Sequence, residues 1–259
     1  MGRAKEIIVK VIPSKIANEF VKQHHYSGKC VPNSSLHFGC FLDDKLHGVL
    51  SYGSPMDKRK VLQLVTNTGW NDMLELNRMA FDNYLPKYSE SRCIAITIKL
   101  IKKNASHIKW ILSFSDGTQC GDGTIYRASG FNLTSIKINQ TLGVLNGKVV
   151  SDFTFQKGKH ILNNNGKAAA PKEFKYLNGF QLRYIYLIDK TCKITVPILP
   201  FSKIDEMGAG MYKGKKVSLK ERKNAAIAQG SAPGFQSGDG VRSDLAAQIK
   251  QRNNNDAES

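Results

Sequence analysis

The sequence predicts a mixed α/β (α+β) domain, a central and mostly antiparallel sheet flanked by helices, followed by a disordered, basic C-terminal tail. Three observations carry this. Strand-type and helix-type hydrophobic periods alternate along the chain up to Phe201. The loop Ser113-Phe-Ser-Asp-Gly-Thr-Gln-Cys-Gly-Asp-Gly-Thr-Ile-Tyr126 sets two carboxylates, a thiol and a phenol between two structured segments. From Met207 onward the composition turns to Gly, Ser, Lys, Gln, Asn and Ala, which cannot bury enough surface to offset the entropy of ordering.

In chain order, residues 6–12 read as a strand, and Ser14 after Pro13 as the cap of a helix that turns Ala17, Phe20, Val21 and His24 to one face and ends near His25. Two alternating strands, 36–42 and 46–53, flank a turn at Asp43-Asp44, and after a polar excursion a further strand covers 73–81. Residues 83–90 form a loop and 91–103 a helix whose apolar positions are nearly continuous, so it is largely buried. The apolar run 109–114 is a buried strand that delivers Asp116 to its end, and 124–130 is a helical turn closed by glycine. Open α/β sheets bind ligands at the carboxyl ends of strands, so the loop at 113–126 is where a site is expected; a solvated Asp-Gly turn is the competing reading. Strands follow at 134–138, 149–155 and 174–189, and the core closes around Pro200-Phe201. The catalytic domain thus spans 1–206 and the tail 207–259, with a short helix expected over 244–251 and loose phosphate contact or a host-partner handle as its use; a functionless extension is the competing reading.

Lys and Arg number 38 against 21 Asp and Glu, a formal net charge of +17. Such an excess points to a polyanion, nucleic acid first. No apolar stretch is long enough to span a membrane and no signal peptide leads the chain, so a soluble intracellular protein without a membrane partner is expected. The five cysteines (Cys30, Cys40, Cys93, Cys120, Cys192) form no CxxC pair, which argues for free thiols rather than disulfides or structural zinc. Four sit in or beside apolar segments; Cys120, in the glycine-rich loop, does not.

The order His25-Tyr26-Ser, Leu50-Ser-Tyr-Gly-Ser-Pro55, Glu75-Leu-Asn-Arg78, Ser89-Glu-Ser-Arg92, Ser113-Phe-Ser-Asp116 and Gly123-Thr-Ile-Tyr-Arg-Ala-Ser-Gly-Phe131 resembles the Mom family of bacteriophage DNA adenine modification (methylcarbamoylation) proteins over roughly residues 20–200. The resemblance implies an acetyltransferase-like (GNAT) fold, whose element order agrees with the one read above. It implies an enzyme that places a carbamoylmethyl (acetamido) group on the exocyclic amine of adenine and so shields phage DNA from host restriction, in the cytoplasm of the bacterial host. It also implies an iron site, carried here by His25, Tyr26, Asp116 and Tyr126; imidazole, carboxylate and phenolate are reasonable iron ligands. Where a Gly-His pair is expected the chain has Cys120-Gly121-Asp122, so Cys120 or Asp122 takes that histidine's place.

In acetyltransferases the loop and helix start after the central strand hold the pyrophosphate of an acyl-coenzyme A. Here that is the glycine-free stretch 86–92, with Lys87, Ser89, Ser91 and Arg92 as contacts and Glu90 among them. By their i, i+2 spacing Glu75 and Asn77 share one face of the strand, in a role orienting substrate, and Arg78 the other. The competing reading for Glu75 is burial against a lysine, for His25 a helix cap and for Tyr126 a core aromatic. Double-stranded DNA is the expected partner, bound by charge without sequence preference, with the adenine flipped out of the stack onto Tyr52, Tyr84 or Tyr88. The assembly is left open, a dimer included. The alternatives are a conventional acyl-CoA-dependent N-acetyltransferase acting on a protein or small-molecule amine, and a non-enzymatic DNA-binding protein.

Overall fold

Strands β1 (Ile8–Val11), β2 (Ser34–Leu42), β3 (Lys45–Gly53) and β4 (Met73–Phe81) form an antiparallel run in sequence order. The computed structural model describes residues 3–152, 171–212, 215–218 and 220–221. β5 (Trp110–Asp116) lies parallel to β4, a pairing that requires a long crossover, supplied by the helix between them. Then come β6 (Asn132–Ile138), the short strands β7 (Leu142–Leu145), β8 (Lys148–Ser151) and β9 (Lys175–Tyr176), and β10 (Phe180–Leu187). β10 inserts between β5 and β6, giving one seven-stranded sheet of order β1-β2-β3-β4-β5-β10-β6 and a separate three-stranded sheet of order β8-β7-β9. This is the mixed, mostly antiparallel sheet flanked by helices that the sequence predicts.

Two helices cover the sheet. α1 (Ser14–His24) buries Ala17, Phe20 and Val21 with Val49 and Ala80 of the sheet. Its N-cap is Pro13, not Ser14, and since a proline ring carries no acceptor, no side chain caps it. α2 (Lys58–Leu62), in the stretch read only as a polar excursion, is one turn started by Asp57, whose side chain accepts from Lys60 N–H. α3 (Ser89–Asn104) buries Cys93, Ile94, Ile98 and Ile101 in the main core with Leu50, Tyr52, Leu76 and Ile111. α4 (Thr124–Ala128) and α5 (Ser202–Glu206) are single turns.

Two irregularities position the site. β4 and β5 pair only from Met73↔Trp110 to Leu76↔Ser113, after which they part. At the parting point Tyr52 faces Leu76 while Ser51 faces Arg78, so Asn77 is the extra residue of a β-bulge. Ser113 Oγ donates to Leu76 O at 3.1 Å and closes the angle between the strands.

The long strand expected over 174–189 is broken in two. Asn178-Gly179 turns the chain, and Gly179 sits so close to Thr118 that a Cβ there would meet Thr118 Cα at 2.6 Å. The strand expected over 149–155 is β8, ending at Ser151, and residues 153–155 lie outside the described residues. Packing continues past 206: Ala209 is buried, Asp122 N–H donates to Met211 O at 3.2 Å, and Met211–Tyr212 pairs with Lys215–Lys216 as β11 and β12. The rest of the tail, with the helix expected over 244–251, lies outside the described residues. No helix among them is long and apolar enough to cross a membrane.

Candidate active site

Side chains from four parts of the chain meet where β4 and β5 separate. α1 ends as His25 takes an extended backbone (φ −82, ψ 134), and Gly28 turns the chain back with φ 58. That exit sets Tyr26 against the end of β5, where its hydroxyl donates to Asp116 Oδ2 at 3.2 Å. Asp116 in turn organises its own loop: Oδ1 accepts from Thr118 N–H at 2.9 Å and Gln119 N–H at 3.3 Å, and Oδ2 accepts from Gln119 Nε2 at 3.2 Å.

His25 does not cap helix carbonyls with its ring. Nδ1 accepts from Ser27 N–H at 3.2 Å and lies 2.8 Å from Ser27 Oγ, which commits that nitrogen as an acceptor and leaves Nε2 carrying the proton. Burial, then the charge of Arg78, pushes its pKa down to about 3, so the ring is neutral at any working pH. Its plane packs on Tyr26 with centroids 4.3 Å apart. Tyr26 is held well above the ordinary phenol range by burial, then by the negative charge of Asp116, and the Cys120 thiol is pushed up by burial and by Asp116.

Arg78 is the cation of this site and the sequence reading misplaced it. Strict alternation sends Arg78 to the face opposite Glu75, but the bulge at Asn77 resets the alternation. Its Nε donates to Lys29 O at 2.9 Å and its Nη1 to Asn77 O at 2.7 Å, and its charge acts on His25, Tyr26, Glu75 and Tyr126 alike. Glu75, whose nearby cation is this arginine rather than a lysine, is pushed up to about 7 by burial, against the pull of Arg78. Tyr126 is buried and lies against Ser113; burial raises its phenol to about 12. Asn77 Oδ1 accepts from Ser34 Oγ at 2.7 Å, and its amide nitrogen is buried without a partner among the described residues. Ser34 and Arg78 are the residues that reading motif by motif missed; Arg78 was visible in Glu75-Leu-Asn-Arg78, but the bulge was not.

Of the two residues considered for the missing histidine, Cys120 reaches the site and Asp122 does not. Asp122 Oδ1 accepts from Thr124 Oγ1 at 2.9 Å and its carbonyl accepts from the Tyr184 hydroxyl, so it shapes the start of α4. The four residues of the implied iron set are brought into one region but are not aimed at one point. Tyr26 and Asp116 point at each other, the acceptor nitrogen of His25 is taken by Ser27, Tyr126 lies against Ser113, and the Arg78 cation stands among them. As arranged they do not fit a metal ion, and among the described residues no three His, Cys, Asp or Glu side chains gather to hold one.

The start of α3 is similarly engaged. Ser89 Oγ donates to Pro86 O, Ser91 Oγ to Tyr88 O at 3.2 Å and Arg92 Nη2 to Lys5 O at 3.2 Å. Glu90, raised to about 7 by burial, accepts from its own backbone N–H, one of the groups a pyrophosphate would need. Lys87 is exposed at the rim. As arranged, this helix start does not fit a coenzyme A pyrophosphate. Of the three tyrosines expected to support an extruded base, Tyr52 is excluded: it is fully buried and shares a 2.6 Å hydrogen bond with Thr97. Tyr84 is exposed but stacked on His47, and Tyr88 is exposed at the N-cap of α3.

The model of the Mom protein family matches residues 6–203. The chain belongs to the Mom family. It is 30% identical over 198 residues to the methylcarbamoylase Mom of Escherichia phage Mu, covering 73% of this chain and 79% of that one. Among solved structures, this Mom-family chain is similar to an acetyltransferase of Bacillus subtilis in complex with CoA (11% identity, TM-score 0.41, 70% of this chain and 98% of that one). It is likewise similar to the ribosomal-protein-S18-alanine N-acetyltransferase of Escherichia coli (10% identity, TM-score 0.41, 75% and 99%). Those likenesses are distant.

Proposed function

We propose that this chain transfers a carbamoylmethyl (acetamido) group to the exocyclic amine of adenine in phage DNA, hiding that DNA from host restriction nucleases. Membership of the Mom family and the likeness to the phage Mu methylcarbamoylase support DNA modification by a transferase. The observation that carries the chemistry is Glu75, a partly buried carboxyl poised near neutrality beside Arg78 and Tyr126.

The amine of adenine is a weak nucleophile because its lone pair is delocalised into the ring. In the step proposed, one N–H bond of the amine breaks and one N–C bond forms to the methylene carbon of the donor, an activated carbon electrophile whose leaving group departs with the bonding electron pair. Glu75 takes the proton, and a pKa near 7 suits a general base at neutral pH. Arg78, fixed by two backbone carbonyls, lends positive charge to the departing group. His25, held neutral, offers Nε2–H as a donor to the flipped base; Tyr26 and Asp116 hold the loop that forms the wall.

No step is routed through coenzyme A or iron, since neither the start of α3 nor the four implied ligands fit these groups as arranged. Mass spectrometry of nucleosides from plasmid DNA of cells expressing the chain tests the reading, with Asp116→Ala and Glu75→Gln alongside. Deoxyadenosine heavier by one acetamido group, lost in both variants, is the expected result. Normal DNA despite folded protein overturns it and leaves the acetyltransferase or the DNA-binding reading. Metal analysis of the same preparations addresses iron: stoichiometric iron lost in Asp116→Ala would assign it to this site after all.

A further inference from the structure

The sheet of β7, β8 and β9 is not part of the seven-stranded body, and where it is rooted matters. It leaves from the Ile138 end of β6 and returns at Phe180, and Gln181, the next residue, pairs with Asp116. Gly117 and Gly179 bring the active-site loop and the root of this lobe into contact: a Cβ at Gly117 would meet Phe180 O at 2.8 Å, and one at Gly179 would meet Thr118. Asn139 ties the root together, donating to Leu142 O and Leu177 O at 2.7 Å each and accepting from the N–H groups of Thr141 and Leu142. The lobe is therefore fixed beside the site.

β7 and β8 form a two-residue hairpin, with Asn146 and Gly147 both at positive φ (50 and 70). A Cβ added at Gly147 would meet nothing within 4 Å among the described residues, so the tip stands clear of the described body. Lys148 follows the tip, Lys172 precedes β9 and Lys175 lies on it, and Lys137 lies next to the root near the end of β6; all four are exposed, and none is paired in a salt bridge among the described residues. Tyr176 on β9 is 53% exposed. Other basic surface, such as Lys99, Lys102 and Lys103 near the end of α3, leads to the start of β5, at the opposite end of that strand from Asp116.

We propose that the β7–β8–β9 lobe is the surface that grips duplex DNA beside the target adenine, with Lys137, Lys148 and Lys175 on the phosphate backbone. The inference rests on DNA being the substrate, as proposed above. Charge complementarity and continuity with the active-site loop select this occupant.

Binding of the full chain to a fluorescent duplex oligonucleotide, followed by anisotropy over a salt series, tests it. Replacing Lys137, Lys148 and Lys175 together by Gln should flatten the slope of log K against log salt by about 2.7, about 0.9 for each phosphate no longer neutralised. The variant Lys99→Gln/Lys102→Gln/Lys103→Gln, with the same charge removed, should leave the slope unchanged. Equal flattening in both variants, or none in the lobe variant, overturns the proposal. If the triple variant melts early, Lys148→Gln alone at the exposed tip decides the same question, with a flattening of about 0.9 expected and an unchanged slope as the refutation. Nucleoside mass spectrometry on the wild type separates the two readings. Modified DNA with an unaffected lobe variant removes the lobe and leaves the enzyme, whereas unmodified DNA with a flattened slope does the reverse.

Discussion

Glu75→Gln keeps the size of the side chain and removes its ionisation, which makes it the sharpest probe of the site. In the fold Glu75 titrates at about 7, against an ordinary 4.5, because burial penalises the charged form more than Arg78 favours it. At about 1.36 kcal/mol per pH unit, that gap sets the cost of ionising Glu75 in the folded protein at roughly 3 kcal/mol, trimmed toward 2 by solvent on its open side. Since the folded pKa is raised, the wild type has its full stability below about 4.5, where Glu75 is protonated in both states, and loses this contribution as pH rises through 7. The glutamine variant carries no such cost. Melting curves of the two proteins should therefore converge at the acid end and separate progressively up to pH 7. Above that the variant should melt higher by roughly 5–10 °C, taking about 2–4 °C per kcal/mol for a domain of this size. The same variant should lose about 10²–10⁴ in modification rate, the usual worth of a general base. Parallel melting profiles across this range would show that Glu75 titrates normally and refute the electrostatic reasoning; a separated profile with full activity would keep the electrostatics and remove Glu75 as the proton acceptor.

Two further outcomes are expected. Tyr26→Phe removes the hydroxyl that donates to Asp116 Oδ2, leaving that oxygen with Gln119 Nε2; urea unfolding should show a loss of about 1–2 kcal/mol together with lost modification, and unchanged values in both would dismiss the Tyr26–Asp116 pair. Gly123→Ala places a Cβ at 2.4 Å from the Tyr184 ring on a backbone at φ 81. The left-handed conformation costs about 1–2 kcal/mol and the overlap a similar amount, so the melting point should fall by at least about 5 °C, and an unaltered one would mean the turn before α4 yields easily.

What the sequence revealed, and what it hid, divides by the range of the interactions involved. β4 was legible to the residue, and β5 with Asp116 at its end nearly so, because a buried strand between polar segments is written in local composition. The break at Asn178-Gly179 was written there too, yet the aromatic and aliphatic alternation on either side outweighed it. Tyr52 looked like an available aromatic but lies at the centre of the core against Thr97, 45 positions away, a contact that no window along the chain contains. His25, Tyr26, Asp116 and Tyr126 each stand out in the sequence, but which of them touch was not visible. Tyr26 meets Asp116 across 90 positions, and Tyr126 turns instead toward Ser113.

The position of Arg78 shows how one irregularity in the sheet becomes chemistry. In a regular strand, residues 75 and 78 point to opposite faces, and Glu75 would be buried without a cation, with an even higher pKa and no way to hold a proton loosely at neutral pH. The extra residue at Asn77 swings Arg78 into the same region, and two backbone carbonyls, Lys29 O and Asn77 O, fix its guanidinium. That single charge lowers the pKa of Glu75 and of His25 alike, which favours the ionised carboxylate and disfavours the ionised imidazole. It opposes the rise of Glu75, holding it near 7, and it deepens the fall of His25 to about 3. A carboxyl that titrates near neutrality and an imidazole that stays neutral are therefore both tuned by the same arginine. The bulge occurs where β4 leaves β5, because there a strand can add a residue without breaking its ladder on that side. In the function proposed above, Glu75 is the group that accepts the proton of the purine amine and His25 the one that stays a hydrogen-bond donor to the purine.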